Sequence, residues 1–298
     1  MTGQRPERVE RLEPGLRRVL APNPSPMTHW GTNTYILGEG RVAVIDPGPD
    51  SRPHFDAILA ALAPGETVSH ILVTHSHIDH SPLAAPLAKA TGAPVLAFGN
   101  SRAGRSAVME ELAAQGGIGG GEGVDLAFTP DETIADAATI AGNGWTLTAH
   151  WTPGHLGNHL CFAWGDTVFT GDHIMGWASS LVSPPDGDLT AFMASTRRLA
   201  ARRDRIFYPG HGAPIQQPQA RADWLIRHRE ARETASLAEL SGVARTIPEI
   251  TARVYHDTAP ALRPAAERNV FAHLIDLAGR NLVRSEPALA FTARFTRA

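Results

Sequence analysis

One run of seven residues, Thr-His-Ser-His-Ile-Asp-His at positions 74–80, constrains this chain more than any other segment. It places four potential metal ligands within six positions, and these are His75, His77, Asp79 and His80. Neutral imidazole and carboxylate are the ligands that borderline divalent ions such as Zn²⁺ take. Because alternation along an extended or looped segment directs His75 and His77 to the same side, the run predicts a metal site.

Three further residues follow glycine-containing turns and could complete the ligand set. His155 follows Thr-Pro-Gly, Asp172 follows Phe-Thr-Gly, and His211 stands in Tyr-Pro-Gly-His-Gly. A single histidine is usually a surface or core residue, and this chain has 14 of them, so each of the three has a structural alternative when taken alone. Together with the run at 75–80, they predict two adjacent metal sites.

The overall composition is that of an ordinary globular protein, with 43% hydrophobic and 19% charged residues among 298. This length allows one large domain and a small one. The N-terminal residues are too charged for a secretory signal, and no apolar run approaches the roughly 18 residues of a membrane span. We therefore expect a cytoplasmic protein with no membrane partner, in which the single cysteine, Cys161, is a small core residue rather than a nucleophile.

The net charge of −3 argues against general binding of polyanions by the whole molecule. The charge is unevenly distributed, because residues 243–298 contain eight arginines against five acidic residues, a local charge of +3. An anionic partner for this part of the chain is therefore left open.

The order of short apolar strands and amphipathic helices predicts an α/β fold. A strand at 70–74 delivers the ligand run at its carboxyl end, where loops of α/β sheets commonly carry functional residues. A hairpin is predicted from strands at 160–164 and 167–170, and it leads directly to Asp172. The other predicted elements are strands at 35–38, 42–48, 94–97, 145–151 and 205–208, and helices at 53–62, 83–90 and 189–201.

A glycine-rich segment interrupts this pattern at residues 116–123, where six glycines crowd together and no regular element is expected. A phosphate-binding loop is one interpretation, but the lysine and serine of a Walker motif do not follow. We interpret the segment as a flexible surface insertion.

The end of the chain is predicted to form a separate small unit. We assign residues 1–217 to a catalytic domain, 218–242 to a linking helix and 243–298 to a C-terminal domain. Within the C-terminal domain, Thr246 and Glu249 form a capping box for a first helix. The remaining elements expected there are a second helix at 265–278 and strands at 282–283 and 289–295.

Helix, helix and hairpin in this order are typical of a winged helix. Such modules bind nucleic acid in some proteins and serve for packing or dimerisation in others, and a homodimer stays an open alternative here. Apolar positions in the two helices, among them Tyr255 and Phe271, must be buried against each other or against the main domain. We therefore expect the C-terminal domain to form one wall of the substrate groove, with its arginines favouring an anionic substrate.

The seven candidate ligands, read in order, resemble the pattern of the metallo-β-lactamase superfamily. They are His75, His77, Asp79, His80, His155, Asp172 and His211. The resemblance implies a four-layered αββα sandwich with two metal ions at one edge of its sheets, followed here by the winged-helix-like domain. It also implies that Asp46, at a predicted strand end, supports the ligands without being one of them.

The resemblance implies a role for each ligand. By position, His75, His77 and His155 would hold one ion, Asp79, His80 and His211 would hold the other, and Asp172 would bridge them. Zinc is the expected metal, with manganese and iron as alternatives. Two such ions share a bridging water and lower its pKa, so that hydroxide attacks a carbonyl or phosphorus centre.

Several other segments are similar to one branch of this superfamily, the β-lactamase-like-protein-two branch within the wider glyoxalase II-like group. They are the stretches at 23–28 and 31–35, the turn at 208–212, and the long helix with His228, Arg229, Arg232 and Glu233. The eukaryotic members of that branch act as endoribonucleases on single-stranded RNA, whereas many prokaryotic relatives have no settled substrate. Relatives in the wider group cleave thioesters.

We therefore predict a hydrolase with two divalent metal ions that acts on single-stranded RNA. The first alternative is a hydrolase of small-molecule thioesters or carboxylic esters, and the second is a non-catalytic DNA-binding regulator with a structural metal site. Asp79 and Asp172 are the predicted catalytic carboxylates. His159 is a further candidate, either as a donor that faces the substrate or in a structural role outside the ligand sphere.

Overall fold

The computed structural model describes residues 5–116 and 123–298, which form two β-sheets packed face to face, helices on both outer faces, and a smaller C-terminal unit. Residues 117–122 lie outside the described part, so the interpretation of the glycine-rich segment 116–123 falls largely outside it as well. None of the helices in the described ranges combines the length and the apolar character that crossing a bilayer requires.

The first sheet has seven strands in sequence order, antiparallel from the first to the fourth and parallel from the fourth to the seventh. Its N-terminal hairpin is not evident from the sequence, because charged residues alternate along it. The strands are β1 (Val9–Glu13), β2 (Leu16–Leu20), β3 (Asn33–Leu37), β4 (Arg41–Ile45), β5 (Thr67–Leu72), β6 (Val95–Ala97) and β7 (Glu132–Thr133).

The second sheet has five strands in the order β12-β11-β10-β9-β8. They are β8 (Thr139–Ala141), β9 (Thr146–Trp151), β10 (Leu160–Trp164), β11 (Thr167–Gly171) and β12 (Ile206–Pro209). The predicted hairpin of β10 and β11 is confirmed, and its two-residue turn begins with Gly165 at a φ of +59°. Strand β12 pairs parallel to β11, so both strands deliver the residues that follow them to the same edge.

Three apolar layers hold these elements together. Phe162 and Phe169 fill the layer between the sheets, where complete burial of each side chain contributes roughly 1.5–3 kcal/mol. Outside the first sheet lie α1 (Arg52–Ala60) and α2 (Ala84–Thr91), and outside the second lie α4 (Leu189–Ala201) and α5 (Pro218–Ala238). The predicted αββα sandwich is therefore confirmed.

The predicted winged helix is also confirmed. It consists of α6 (Ile247–Val254), a short 3-10 helix (Pro260–Leu262), α7 (Arg263–Gly279), β13 (Val283–Glu286) and β14 (Arg294–Arg297). The capping box at its start is present, since Glu249 accepts from the backbone N–H of Thr246 at 2.7 Å. Strand β14 begins at Arg294 rather than at residue 289, because residues 289–291 pack their side chains against the core of the unit instead of joining the ladder.

The C-terminal unit shares its core with the large sandwich. Helix α3 (Ala107–Gln115), which the sequence analysis did not predict, contributes Met109 and Leu112 to the same apolar cluster as Phe271 and Phe295. Ala272 on the opposite face of α7 packs into the layer between α4 and the second sheet. The winged helix is therefore built into the molecule and is not attached through a linker alone.

Candidate metal centre

All seven predicted ligands lie in loops that follow the carboxyl ends of strands, at one edge of the sandwich. The run with His75, His77, Asp79 and His80 follows β5. The three distal residues each follow a different strand of the second sheet, with His155 after β9, Asp172 after β11 and His211 after β12. The register of the two sheets thus brings together residues that are up to 136 positions apart.

The first group of side chains consists of His75, His77, His155 and Asp172, whose candidate ligand atoms all lie within 4.8 Å of one another. His77 Nδ1 is 2.9 Å from His75 Nε2 and 3.0 Å from His155 Nε2. Two nitrogens bound to one tetrahedral Zn²⁺ at 2.0–2.1 Å lie roughly 3.3 Å apart. The spacing of these imidazoles is therefore close to the spacing that a shared divalent ion requires.

The second group consists of Asp79, His80 and His211. His211 Nε2 lies 3.1 Å from Asp79 Oδ2 and 3.3 Å from His80 Nε2, and His80 Nε2 lies 3.6 Å from Asp79 Oδ2. His80 and His211 are almost completely buried, whereas the Asp79 side chain is 21% exposed. Asp79 is thus a carboxylate of the centre that a substrate can approach.

Asp172 lies between the two groups. Its Oδ1 is 3.4 Å from His80 Nε2, and its Oδ2 is 3.3 Å from His211 Nε2 and 3.7 Å from His155 Nε2. Among the described residues, Oδ1 has no hydrogen bond of good geometry even though it is buried. A buried carboxylate oxygen left in this state, between two clusters of nitrogen ligands, is a position suited to bridging two cations.

The outer nitrogens of four histidines are held by other groups, which leaves their inner nitrogens free to bind a metal. The contacts are His75 Nδ1 with Thr74 Oγ1 (2.9 Å), His80 Nδ1 with Asp46 Oδ2 (3.0 Å), His155 Nδ1 with Leu181 O (2.7 Å) and His211 Nδ1 with Gly31 O (3.2 Å). Such partners fix the ring orientation of ligating histidines in metal sites. The donor set therefore fits divalent cations.

Asp46 supports the ligand run from behind. Its carboxylate accepts from the backbone N–H of Thr74 (2.7 Å) and from the Thr74 hydroxyl (2.8 Å), and it also contacts His80. To reach them it adopts a φ of +50°, a left-handed conformation that costs a non-glycine residue about 1–3 kcal/mol. This local strain is offset by the hydrogen bonds that place the start and the end of the run.

Two glycines make room for the centre. A Cβ on Gly210 would lie 2.4 Å from Asp172 Oδ1 and 2.7 Å from His80 Cε1, and a Cβ on Gly171 would lie 2.7 Å from His159 Nε2. Neither glycine was singled out in the sequence analysis as more than part of a turn. The Pro-Gly-His and Thr-Gly-Asp sequences were the signal, because each glycine directly precedes a ligand.

Burial lowers the pKa of the imidazoles in the first group. It lowers the pKa of His75 well below its ordinary value and that of His77 to about 3, and it also lowers the pKa of His155. These rings are therefore neutral near pH 7, with lone pairs available for a metal.

In the second group, the pKa values of the two histidines are raised instead of lowered. Although burial opposes it, the carboxylates of Asp79 and Asp172 raise the pKa of His80 well above its ordinary value, and Asp172 raises that of His211 to about 9. Despite its burial, the pKa of Asp172 is held well below its usual range by His211 and His80. Without a metal, protons on these two histidines neutralise the carboxylates, so metal binding here must release protons.

His159 lies behind the ligands and not at the exposed side of the centre. The ring is completely buried, 5.1 Å from the His75 ring and 5.7 Å from the His173 ring, and its Nδ1 bonds to the Thr152 hydroxyl at 2.9 Å. Its position behind the ligands is consistent with the structural alternative. Cys161 is a buried core residue as predicted, and burial raises the pKa of its thiol to about 12.

A cavity of about 350 Å³ opens at the first group. One side is formed by His77 and His155, and the walls include Leu181 and, from α7 of the winged helix, Pro264, Ala265 and Arg268. Helix α7 of the C-terminal unit thus forms one wall of this cavity, and the identity of the cavity as the substrate groove stays a prediction. The lining also includes Ser183 and Asp186, and the Asp186 carboxylate pairs with Arg105.

At least four of the eight C-terminal arginines contact acidic residues in the described part of the chain. Arg245 and Arg253 both contact Glu239, Arg280 contacts Glu233 and Asp276, and Arg294 contacts Glu249. The local charge of +3 therefore does not translate into a continuous basic surface for a polyanion.

Comparison with known proteins identifies the same two units. The family model described as "Metallo-beta-lactamase superfamily" matches residues 27–211, and "Beta-lactamase associated winged helix domain" matches residues 246–290.

Two curated relatives and one solved structure illustrate the similarity. "Atrochrysone carboxyl ACP thioesterase" of Aspergillus fumigatus is 31% identical over 244 residues, which cover 80% of this chain and 68% of the relative. "Beta-lactamase-like protein 2 homolog" of Drosophila melanogaster is 31% identical over 281 residues, covering 90% and 89%. A metallo-beta-lactamase family protein from Thermus thermophilus superposes with a TM-score of 0.76 at 26% identity, covering 97% of this chain and 100% of that one.

Proposed function

The chain belongs to the metallo-beta-lactamase superfamily of hydrolases, and we propose that it hydrolyses thioesters with two divalent metal ions. His75, His77 and His155 would hold one ion, Asp79, His80 and His211 would hold the other, and Asp172 would contact both. The donors of both groups are imidazole nitrogens and carboxylate oxygens, a combination that binds zinc and can also bind manganese or iron.

The proposed substrate class rests on the size and lining of the cavity beside His77 and His155. At about 350 Å³, with Leu181 in its apolar part and with both Arg268 and Asp186 in its lining, this cavity suits a small organic group next to the ligands rather than a polymer. The thioesterase name of the Aspergillus relative supports the same choice.

Single-stranded RNA, the substrate predicted first from the resemblance, receives less support. A phosphodiester backbone requires a track of cations, and four of the eight C-terminal arginines contact acidic neighbours. A regulator without activity is a weaker alternative still, because the Aspergillus relative is named a thioesterase and the candidate donor set contains all seven predicted ligands.

The bound ions would supply Lewis acidity and a water of lowered pKa. The remaining tasks fall to side chains of this protein. Asp172 is ionised, and its buried Oδ1 accepts no well-formed hydrogen bond from the described residues, so this atom can accept one from the attacking water and orient it. Asp79 is the more exposed carboxylate of the centre and lies on the side that a substrate can approach. The departing thiolate requires little protonation because a thiol is a good acid.

One comparison of substrates tests the proposal. The protein would be stripped of metal, reconstituted separately with zinc, manganese and iron, and offered an N-acetylcysteamine thioester, a carboxylic ester, bis-p-nitrophenyl phosphate and unstructured RNA. We expect kcat/KM for the thioester to exceed that for both phosphodiesters at least a hundredfold, with Asp172→Asn as the inactive control. Cleavage of RNA by a protein that leaves every thioester intact would overturn it.

A further inference from the structure

A second and larger groove lies on the other side of the loop that carries His211. Its volume is about 1130 Å³, and its prominent side chains are His29, Trp30, Trp177, Arg221, Trp224 and Leu262. Three of the six tryptophans of the chain line it. Neither the ligand groups nor the cavity at His77 and His155 shares a lining residue with this groove.

The groove is close to the proposed metal centre. Trp177 follows Asp172 by five residues and packs against Gly212, next to His211, so closely that a Cβ on Gly212 would lie 2.7 Å from Trp177 Cδ1. Trp30, which also lines the groove, precedes Thr32 by two residues, and the Thr32 hydroxyl lies 3.5 Å from Asp79 Oδ2. The groove therefore borders the side of the centre formed by Asp79 and His211.

The aromatic walls are held in place by Arg221 of α5. Its guanidinium donates to Met175 O and Ala178 O, both at 2.6 Å, and thus clamps the loop on either side of Trp177. The same guanidinium stacks 4.2 Å above the Trp224 ring, which stacks in turn on His228 at 4.9 Å. The width of the groove is therefore fixed by packing before any ligand arrives.

The chemistry of the lining indicates the kind of ligand. Trp224 and Leu262 are 41% and 42% exposed and line the same groove, and contiguous exposed apolar surface marks binding sites more often than single exposed residues do. Rigid indole rings favour flat aromatic groups, which stack on them or meet them edge to face. Arg221 already engages two carbonyls and an indole ring, so the lining favours an uncharged group over an anion.

We propose that this groove binds the acyl part of the substrate, and that this acyl group is planar, aromatic and larger than one ring. The inference rests on the thioester hydrolysis proposed above. A small acyl group such as acetyl or lactoyl would leave most of about 1130 Å³ unfilled, since pockets for drug-sized ligands are typically 300–1,000 Å³. Hydrolysis breaks the bond between the acyl carbon and sulfur and forms a bond between that carbon and the oxygen of water. The acyl group leaves as a carboxylate, one proton of the water goes to the thiol, and the other is released to solvent.

The thiol part of the substrate is then assigned to the other cavity. With the acyl group next to Trp177 and the reacting carbonyl between the two ligand groups, the sulfur points towards His77 and His155. An anionic carrier attached to that sulfur meets Arg268.

A binding experiment tests the groove independently of catalysis. The uncharged, non-hydrolysable probe N-methyl-2-naphthamide would be titrated into the zinc-reconstituted full-length protein by calorimetry. We expect Trp224→Ala to weaken its binding about tenfold, Trp224→Phe to restore most of the affinity, and the control Arg227→Ala, an exposed residue of the same helix, to leave it unchanged. Equal affinity in wild type and Trp224→Ala would overturn the proposal.

Turnover of matched thioesters then separates this inference from the proposed function. We expect 2-naphthoyl to be preferred over acetyl and decanoyl N-acetylcysteamine thioesters, and Trp224→Ala to reduce that preference about tenfold through KM. If thioesters are hydrolysed but decanoyl is preferred, or the preference is unchanged in Trp224→Ala, the aromatic groove is refuted while the hydrolase stands. If no thioester is hydrolysed but naphthamide binding still depends on Trp224, the proposed function fails while the groove remains an aromatic binding site.

Discussion

Arg229 of α5 is 2% exposed and donates a hydrogen bond to the backbone carbonyl of Ser180. It also donates to Asn269 Oδ1 on α7 at 2.8 Å, and that oxygen lies 3.4 Å from the backbone N–H of Val182. Leu181 is the residue between Ser180 and Val182, and its carbonyl accepts from His155 Nδ1 at 2.7 Å. A buried arginine and the winged helix thus fix the carbonyl that orients a proposed metal ligand.

This relationship predicts that Arg229 influences metal affinity from outside the ligand sphere. We expect Arg229→Met, and less severely Arg229→Lys, to weaken the binding of one of the two ions about tenfold, because loss of a group that orients a ligand typically costs 10- to 100-fold. Competition with a chromogenic chelator measures this effect without reference to activity. Arg227→Met on the exposed face of the same helix is the matched control, and unchanged metal affinity in a folded Arg229→Met protein would contradict the prediction.

Replacement of Asp172 is expected to remove the contact shared by the two ligand groups. Asp172→Ala should lower activity below a tenth of wild type and reduce the metal content from two equivalents to one or fewer, because each ion would keep only its three terminal ligands. Elemental analysis of the reconstituted protein gives the metal content. Two equivalents retained with substantial activity would show that Asp172 does not bridge.

A methyl group at position 210 should disable the centre without removing any ligand. In Gly210→Ala the new Cβ would lie 2.4 Å from Asp172 Oδ1, so the carboxylate must move and we expect a loss of at least a hundredfold in kcat/KM. Gly279→Ala at the end of α7 is the control, because its Cβ would meet no atom within 4 Å. Wild-type activity in Gly210→Ala would mean that the Asp172 position is not critical.

Because His54 is buried, we expect the free energy of unfolding to fall in mild acid. Burial, with a smaller contribution from Arg8, lowers the pKa of this histidine from 6.5 to about 4, so the folded protein keeps it neutral while the unfolded chain protonates it. The stabilisation from neutral His54 is fully present above pH 6.5 and is lost as the pH falls towards 4, by roughly 3 kcal/mol in total.

Urea unfolding in the presence of a chelator, at a series of pH values, measures this contribution as the difference between wild type and His54→Gln. The free energy of unfolding of the variant should fall less steeply between pH 6.5 and 4. His256→Gln, at an exposed position, should follow wild type. Parallel curves for wild type and His54→Gln would show that another group is responsible.

Arg268 is expected to bind the anionic part of the substrate. Arg268→Gln should raise KM several-fold for thioesters of an anionic thiol, and the effect should shrink with added salt because the interaction is electrostatic. Arg263→Gln, at the exposed start of the same helix, serves as the control. Removal of the whole C-terminal unit is a poorer test, since Met109 and Leu112 share its core. An unchanged KM in Arg268→Gln would exclude this role.

The sequence alone determined the elements that depend on neighbouring residues. The hairpin at Gly165, helix α4 and the capping box at Thr246 follow from turn chemistry, apolar periodicity and local hydrogen bonding, and all three were predicted correctly. The candidate ligands could also be chosen from sequence, because metal chemistry restricts them to a few residue types and turn glycines mark their positions. The fold brings those residues together in two adjacent groups, and their roles as ligands stay a prediction.

Tertiary structure decided what depends on residues far apart in the chain. Helix α3 and the N-terminal hairpin carry weak local patterns and are stabilised by distant partners, so they were not predicted. The burial of His159, the support of Leu181 by Arg229 and Asn269, and the tryptophan groove each combine segments from separate elements. Periodicity reports which face of an element is apolar, but the burial of a polar group and the shape of a cavity depend on which other faces pack against it.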